Sequence, residues 1–171
     1  MAPTGATSES AGGREVTGTS GTLNTGTLYL RAIALKQNTV VSNITFCTRG
    51  TAESGGSHAW YVLADSGLVV RAVSADQTGA TALGSTNTPF TLAMTSPYTA
   101  TYSGLFYVGV CVVASGMPNF LVGATTAANL CSATPVLCGS SNTGATTPPS
   151  TGTSLTALTS NNGYNFYYYT S

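Results

Sequence analysis

The sequence predicts an all-β protein, namely a single β-sandwich of jelly-roll type that carries an extended N-terminal arm. Apolar and polar residues alternate with a period of two along several short runs, which is the pattern of half-buried strands. Turn-forming residues interrupt these runs about every 8 to 15 positions, a spacing typical of sandwiches and jelly rolls. The longest apolar run is apolar on both faces, which predicts a strand covered on both sides.

That run, residues 105–113, is predicted to be the central strand of a two-layer β-protein. It is rich in Val and aromatic residues and is bounded by Ser103-Gly104 and Ser115-Gly116. Nine residues are too few to cross a membrane, and the β-branched content disfavours a helix. Gly109 in the middle leaves space for the close approach of another backbone or a bulky side chain.

The remaining elements follow from the same alternation. Strands are predicted at residues 27–35, 39–49, 58–65, 68–75, 89–95 and 119–124, with a final strand at the aromatic C-terminus. A hairpin joins 58–65 to 68–75 through the turn Asp65-Ser66-Gly67. Loops are expected at 50–57, from Pro97 onward and at 138–153, and a single helical turn at 125–131. The predicted core consists of Leu28, Leu30, Ile44, Phe46, Trp60, Val62, Val69, Leu92, Phe106, Val108 and Val110.

The chain is predicted to contain one sandwich domain, residues 23–171, preceded by an arm, residues 1–22. A domain of this length can fold on its own hydrophobic core. The arm consists mainly of Gly, Thr, Ser and Ala and has almost nothing to bury, so we expect it to become ordered by lying on a neighbouring subunit. Arg14 and Glu15 are its clustered charges, and we predict that they set its register on a partner.

Charge is scarce in this chain. Five Lys and Arg residues balance five Asp and Glu residues, so the formal net charge is zero. Binding to nucleic acid or to an anionic membrane requires clustered basic residues, and we therefore expect neither partner. The first 16 residues lack a basic n-region and an apolar h-region, so we do not expect secretion through a signal peptide. A surface with so little charge tolerates close packing against neighbours.

The four cysteines and the single histidine do not have zinc-site spacing, and we expect neither a metal nor a cofactor. Cys47 and Cys111 lie within strand patterns, where a buried thiol acting as a small hydrophobic group is the favoured interpretation. Cys131 and Cys138 flank a short loop that contains proline. A disulfide between these two is left open, since it depends on an oxidising environment.

Catalytic residues are not indicated, and the chain is predicted not to be an enzyme. His58 precedes Trp60-Tyr61 and is a conceivable general base, with Ser57, Asp65 or Asp76 as conceivable partners. Their spacing matches no nucleophile elbow, zinc-protease or phosphate-loop pattern, so a structural histidine is favoured. The acidic residues lie in separate loops and have no calcium-loop spacing.

The C-terminal aromatic residues are the main candidate binding site. Tyr side chains offer a large contact area with a polar tip, and they are enriched at protein interfaces. We predict an interface with a neighbouring subunit or a larger assembly, formed with the arm charges by Tyr164, Phe166, Tyr167, Tyr168 and Tyr169. Two alternatives remain: stacking on sugar rings, and a final strand whose aromatic residues close the core.

Three motifs stand out along the strands and turns: Asp65-Ser66-Gly67, Ala75-Asp76-Gln77-Thr78, and Pro97-Tyr98 followed by Gly104-Leu105-Phe106-Tyr107-Val108. Together they resemble a β-sandwich domain found in virion surface proteins of tailed phages that infect actinobacteria. The similarity covers roughly residues 27–123. The chain differs from the family where charged or Trp-containing loops are usual.

This resemblance implies a capsid decoration, or cement, protein on the outer surface of the virion head. Its expected partners are the major capsid protein and itself, as a homotrimer at local three-fold positions. The alternative is a tail-associated or fibre adhesin module that binds host-wall glycans through the aromatic C-terminal strand.

Overall fold

The computed structural model describes residues 8–9, 16–19, 23–79, 83–123, 134–160 and 166–171. Within these ranges the protein is all-β and contains no helix. It follows that the described part has no helix long and apolar enough to cross a membrane. The fold is a β-sandwich, as the sequence predicts.

The strands are β1 (Ser8–Glu9), β2 (Val16–Thr19), β3 (Leu28–Leu35), β4 (Val40–Cys47), β5 (Ser54–Asp65), β6 (Val70–Val73), β7 (Pro89–Thr99), β8 (Gly104–Gly116), β9 (Leu121–Gly123), β10 (Cys138–Ser141), β11 (Thr159–Ser160) and β12 (Tyr168–Thr170). A six-stranded sheet has the order β11-β10-β3-β8-β5-β6, and a four-stranded sheet has the order β1-β12-β4-β7. A third, two-stranded sheet pairs β2 with β9.

The chain passes repeatedly between the two larger sheets. The connections β3–β4, β4–β5, β6–β7 and β7–β8 each change sheet, whereas β5 and β6 form the predicted hairpin within one sheet. Each described strand pairing is antiparallel. The jelly-roll type stays a prediction, because this strand order by itself does not establish it.

Strand β8 is central, as expected, with β3 on one side and β5 on the other. Gly109 pairs with Leu30 and with Val62. A Cβ at position 109 would lie 2.9 Å from Val62 Cγ2, 3.0 Å from Leu30 Cδ2 and 3.1 Å from Leu28 Cδ1. The glycine therefore provides the close approach that its position in the sequence suggests.

The two faces of β8 belong to two separate apolar clusters. Phe106, Val108 and Val110 lie between the large sheets, where they join Ile44 and Phe46 of the facing sheet. This cluster is the interior of the sandwich. Because side chains of a strand alternate between faces, the residues between these three point to the opposite side.

The opposite face of the six-stranded sheet carries the second cluster. Tyr107 and Cys111 of β8 lie there with Trp60 and Val62 of β5. Among the described residues, the segment 142–158 rather than a second sheet covers this face, with Leu155 buried in the cluster. Of the predicted core residues, Val69 and Leu92 are half-buried, and the other nine are buried in one cluster or the other.

Three predicted loops are partly strands. β5 begins at Ser54, inside the predicted loop 50–57, because the end of β8 requires backbone partners and pairs Gly116 with Ser54. The start of the predicted loop 138–153 is β10, which covers the edge of β3. Pro97 lies inside β7, an edge strand whose register shifts there, and both features tolerate proline. The predicted helical turn at 125–131 lies outside the described residues.

Candidate functional site

The described segments of the N-terminal arm lie against strands of the same chain. β1 extends the four-stranded sheet, pairing Ser8 with Thr170 and Glu9 with Tyr169. β2 pairs with β9 at three positions and has a register irregularity between Val16 and Gly18. Thus the two described segments of the arm associate by strand addition, while Arg14 and Glu15 lie outside the described residues.

The aromatic residues 166–169, which lead into β12, differ in burial. Phe166 and Tyr168 are fully buried in the interior. The ring of Phe166 makes edge contacts with Tyr29, Phe46 and Phe120, at centroid distances of 6.0, 6.2 and 5.5 Å. Both side chains therefore close the core, which is the alternative of a final strand with internal aromatic residues. Binding a partner through either ring would require the strand to leave the sandwich.

A polar network holds this end of the chain. The Tyr168 hydroxyl donates to the Ala32 carbonyl at 2.8 Å, and Arg31 Nη1 donates to the Phe166 carbonyl at 3.2 Å. Burial raises the pKa of Tyr168 and lowers the pKa of Arg31. The strand pattern around Arg31 does not predict this hydrogen bond, because the Phe166 carbonyl is 135 residues away in the sequence.

Tyr167 and Tyr169 lie on the outer side. Their ring centroids are 6.4 Å apart, with Tyr167 8% exposed and Tyr169 half-buried. Tyr169 pairs with Thr45 of β4, whose hydroxyl lies 2.7 Å from that of Thr91 on β7. Of the predicted interface residues that the structure describes, Tyr169 has the most exposed side chain. Tyr164 lies outside the described residues.

Of the conceivable partners named for His58, Asp76 is the one that contacts it. His58 Nδ1 is 2.7 Å from Asp76 Oδ2, with the side chains 29% and 20% exposed. Reciprocal backbone hydrogen bonds between Ala59 and Gln77 bring the two together. The other considered partners are engaged elsewhere: Ser57 donates to the Val113 carbonyl, and Asp65 binds Arg71.

Two further carboxylates are structural. Asp65 Oδ1 accepts from the backbone N–H groups of Gly67 and Val69, which fixes the β5–β6 turn. Glu53 is 6% exposed and accepts from the Leu83 N–H at 3.2 Å, and burial raises its pKa. Within the described ranges, no three His, Cys, Asp or Glu side chains are grouped so that they could hold a metal ion.

The cysteines differ in state. Cys138 is disulfide-bonded, and Cys131, the partner considered above, lies outside the described residues. Cys47 and Cys111 are free thiols, the first half-buried and the second fully buried. Burial raises the pKa of Cys47 to about 11 and that of Cys111 to about 12, so both are protonated at neutral pH.

The described residues line at least two clefts. One, of about 500 Å³, lies at an end of the sandwich and includes Asn24, Thr51, Met117 and Asn119 in its lining. The other, of about 360 Å³, lies over the second apolar cluster beside Trp60. Comparison with known proteins found no matching family model, no similar curated protein and no similar solved structure.

Proposed function

We propose that this chain is a phage capsid decoration protein that binds the outside of the head and stabilises it by bridging major capsid subunits. A homotrimer is the proposed assembly. The proposal draws on the motif resemblance described above and on the manner in which the arm associates with the sandwich.

Strand addition is the observation that carries the proposal. β1 and β2 are joined to β12 and β9 by backbone pairing over two and three positions. Backbone hydrogen bonds do not require a particular side chain on the added strand, so such sites accept extended segments of varied sequence. In a shell, the arm would pair in the same way with a sheet edge of a neighbouring capsid or decoration subunit.

The low charge supports the same proposal. With ten charged residues in 171, closely packed copies repel one another little. Contacts that are weak individually become strong together when they are repeated across a multivalent assembly. Decoration of a lattice therefore needs no single deep binding site.

A density map of purified virions tests the proposal. We expect the sandwich in density over the head, at local three-fold positions, with extended density from its N-terminal end reaching a neighbour. Density confined to the tail would refute the decoration role.

The second candidate is the adhesin module, and the outward Tyr167–Tyr169 pair favours it. Neighbouring aromatic rings on one sheet face can stack against sugar rings, although Tyr167 is largely covered here. The same map distinguishes the two proposals, because an adhesin would appear at the tail tip.

A further inference from the structure

Trp60 belongs to the second apolar cluster, on the face of the six-stranded sheet opposite the sandwich interior. It pairs with Cys111 of β8, and Leu28, at the start of β3, lines the same cleft. The segment 142–149 forms the opposite wall. We call this space the Trp60 cleft. It therefore has a rigid floor from the sheet and a wall from a single loop.

The indole N–H of Trp60 is an unusual group in this position. The residue is 1% exposed, and Nε1 is buried without a hydrogen-bond acceptor among the described residues. Buried N–H donors are almost always paired, so an unpaired one suggests a site that a bound molecule completes. The missing group is an acceptor, such as a carbonyl oxygen.

The rest of the lining specifies a neutral ligand. Leu28, Pro148 and Pro149 provide apolar surface, and Thr146 and Thr147 provide hydroxyl groups. Asn142 Oδ1 accepts from Thr156 N and Thr156 Oγ1, and its Nδ2 group has no hydrogen-bond partner among the described residues. None of the lining residues is charged. The lining therefore offers no counter-ion to a ligand with a formal charge.

The loop that forms the wall of the Trp60 cleft is weakly attached to the rest of the protein. Within the described residues, no backbone hydrogen bond joins 146–149 to another segment. Gly144 and Gly152, which flank this stretch, have positive φ angles of 74° and 86°, and a Cβ at either position would contact nothing within 4 Å. Movement of the loop between these glycines would open the way to the indole.

We propose that the Trp60 cleft binds an N-acetylated neutral sugar, of the N-acetylhexosamine class. The acetamido carbonyl accepts from Trp60 Nε1, its methyl group packs against Leu28, and the ring hydroxyls bond to Thr146 and Thr147. A volume of about 360 Å³ is at the small end of ligand sites, which suits one sugar ring. This inference does not depend on capsid or tail placement.

Tryptophan fluorescence provides a direct test, because Trp60 is the only tryptophan in the chain. The probe is triacetylchitotriose, and the matched control is cellotriose, which has hydroxyl groups in place of the acetamido groups. We expect a saturable change in emission with triacetylchitotriose, and at least tenfold weaker binding of cellotriose. In a ¹⁵N-labelled sample the single indole N–H resonance should shift with the same titration.

Variants locate the binding. Thr146→Val with Thr147→Val removes two hydroxyls and preserves shape, and we expect about tenfold weaker binding of triacetylchitotriose. Thr151→Val is the control on the same loop, exposed and outside the cleft, and should bind as the wild type does. The proposal is overturned by equal responses to the two sugars, by no response at millimolar concentration, or by unchanged binding in the double variant.

Discussion

The Asp65 carboxylate receives the Arg71 side chain through two hydrogen bonds, from Nε at 2.8 Å and from Nη2 at 2.6 Å. Asp65 also accepts hydrogen bonds from the backbone N–H groups of Gly67 and Val69 in the β5–β6 turn. It thereby links the turn to Arg71 of β6. The hairpin that the sequence predicts is thus held by one charged side chain in a protein with very few.

Asp65→Asn should reduce the free energy of unfolding by about 1 kcal/mol at pH 7, because the charge-assisted bonds to a half-exposed arginine are weakened. Burial alone would raise the pKa of Asp65, but bonds from Val69 N–H, Arg71 and Gly67 N–H hold it below its usual value. The carboxylate therefore contributes its full stability above about pH 4 and loses it as the pH falls through the lowered pKa.

Urea unfolding of both proteins between pH 2 and 7 checks this prediction. The difference between wild type and Asp65→Asn should shrink as the wild-type carboxyl becomes protonated. A difference that stays constant down to pH 2 would contradict the assigned role of the charge.

Gly109→Ala should destabilise the fold by about 1 to 3 kcal/mol, because the new methyl group would meet Val62, Leu30 and Leu28 at 3.1 Å or less. The denaturant midpoint measures the loss. A second change, Leu30→Val, shortens one of the crowding side chains and should recover part of it. If Gly109→Ala alone left the denaturant midpoint unchanged, the close packing described for this face of β8 would be contradicted.

The free thiols should resist alkylation in the native protein. Since burial raises both pKa values, iodoacetamide at pH 8 should modify Cys47 slowly and fully buried Cys111 more slowly still. Both should react rapidly in denaturant. Mass spectrometry of timed samples measures the two rates, and rapid native labelling of Cys111 would contradict its burial.

Phe166→Ala and Tyr169→Ala separate the core and surface roles of the C-terminal aromatic residues. Phe166→Ala should cost about 3 to 5 kcal/mol, because it empties a site enclosed by three other rings. Tyr169→Ala, on the outer side, should cost less than about 1.5 kcal/mol. Chemical denaturation measures both values, and a comparable loss in each would show that the outward position of Tyr169 is wrong.

The capsid proposal predicts a further effect of Tyr169→Ala, namely weaker attachment to heads. A sedimentation assay with undecorated heads measures the bound fraction. Wild-type occupancy would remove Tyr169 from the proposed interface without affecting the fold prediction.

Deletion of residues 2–22 should leave the sandwich folded, because residues 23–168 already supply both apolar clusters as far as the structure describes them. The deletion removes the pairings of β1 and β2 and should greatly weaken attachment to heads. Circular dichroism and the melting temperature report on the fold, and sedimentation with undecorated heads reports on binding. Wild-type occupancy by a folded truncation would show that the arm is not the anchor.

The sequence alone determined the fold class, the central strand and the need for Gly109. Each depends on local information: period-two alternation, turn residues, and a small residue within a bulky run. The burial of both faces of β8 could also be predicted, because the run 105–113 is apolar on both faces. These features are set by the neighbours of each residue along the chain.

Tertiary structure decided which groups meet. Alternation assigned Phe166 and Tyr168 to one face but did not distinguish a core from a partner, and only the facing rings of Phe46 and Phe120 place Phe166 inside. Only the tertiary structure shows that His58 contacts Asp76 and that Arg31 donates to the Phe166 carbonyl. It also shows that a polar loop, and not a second sheet, covers Trp60 among the described residues. The physical reason is that these contacts join residues 18 to 135 positions apart, and strand order, which residue spacing does not encode, sets such distances.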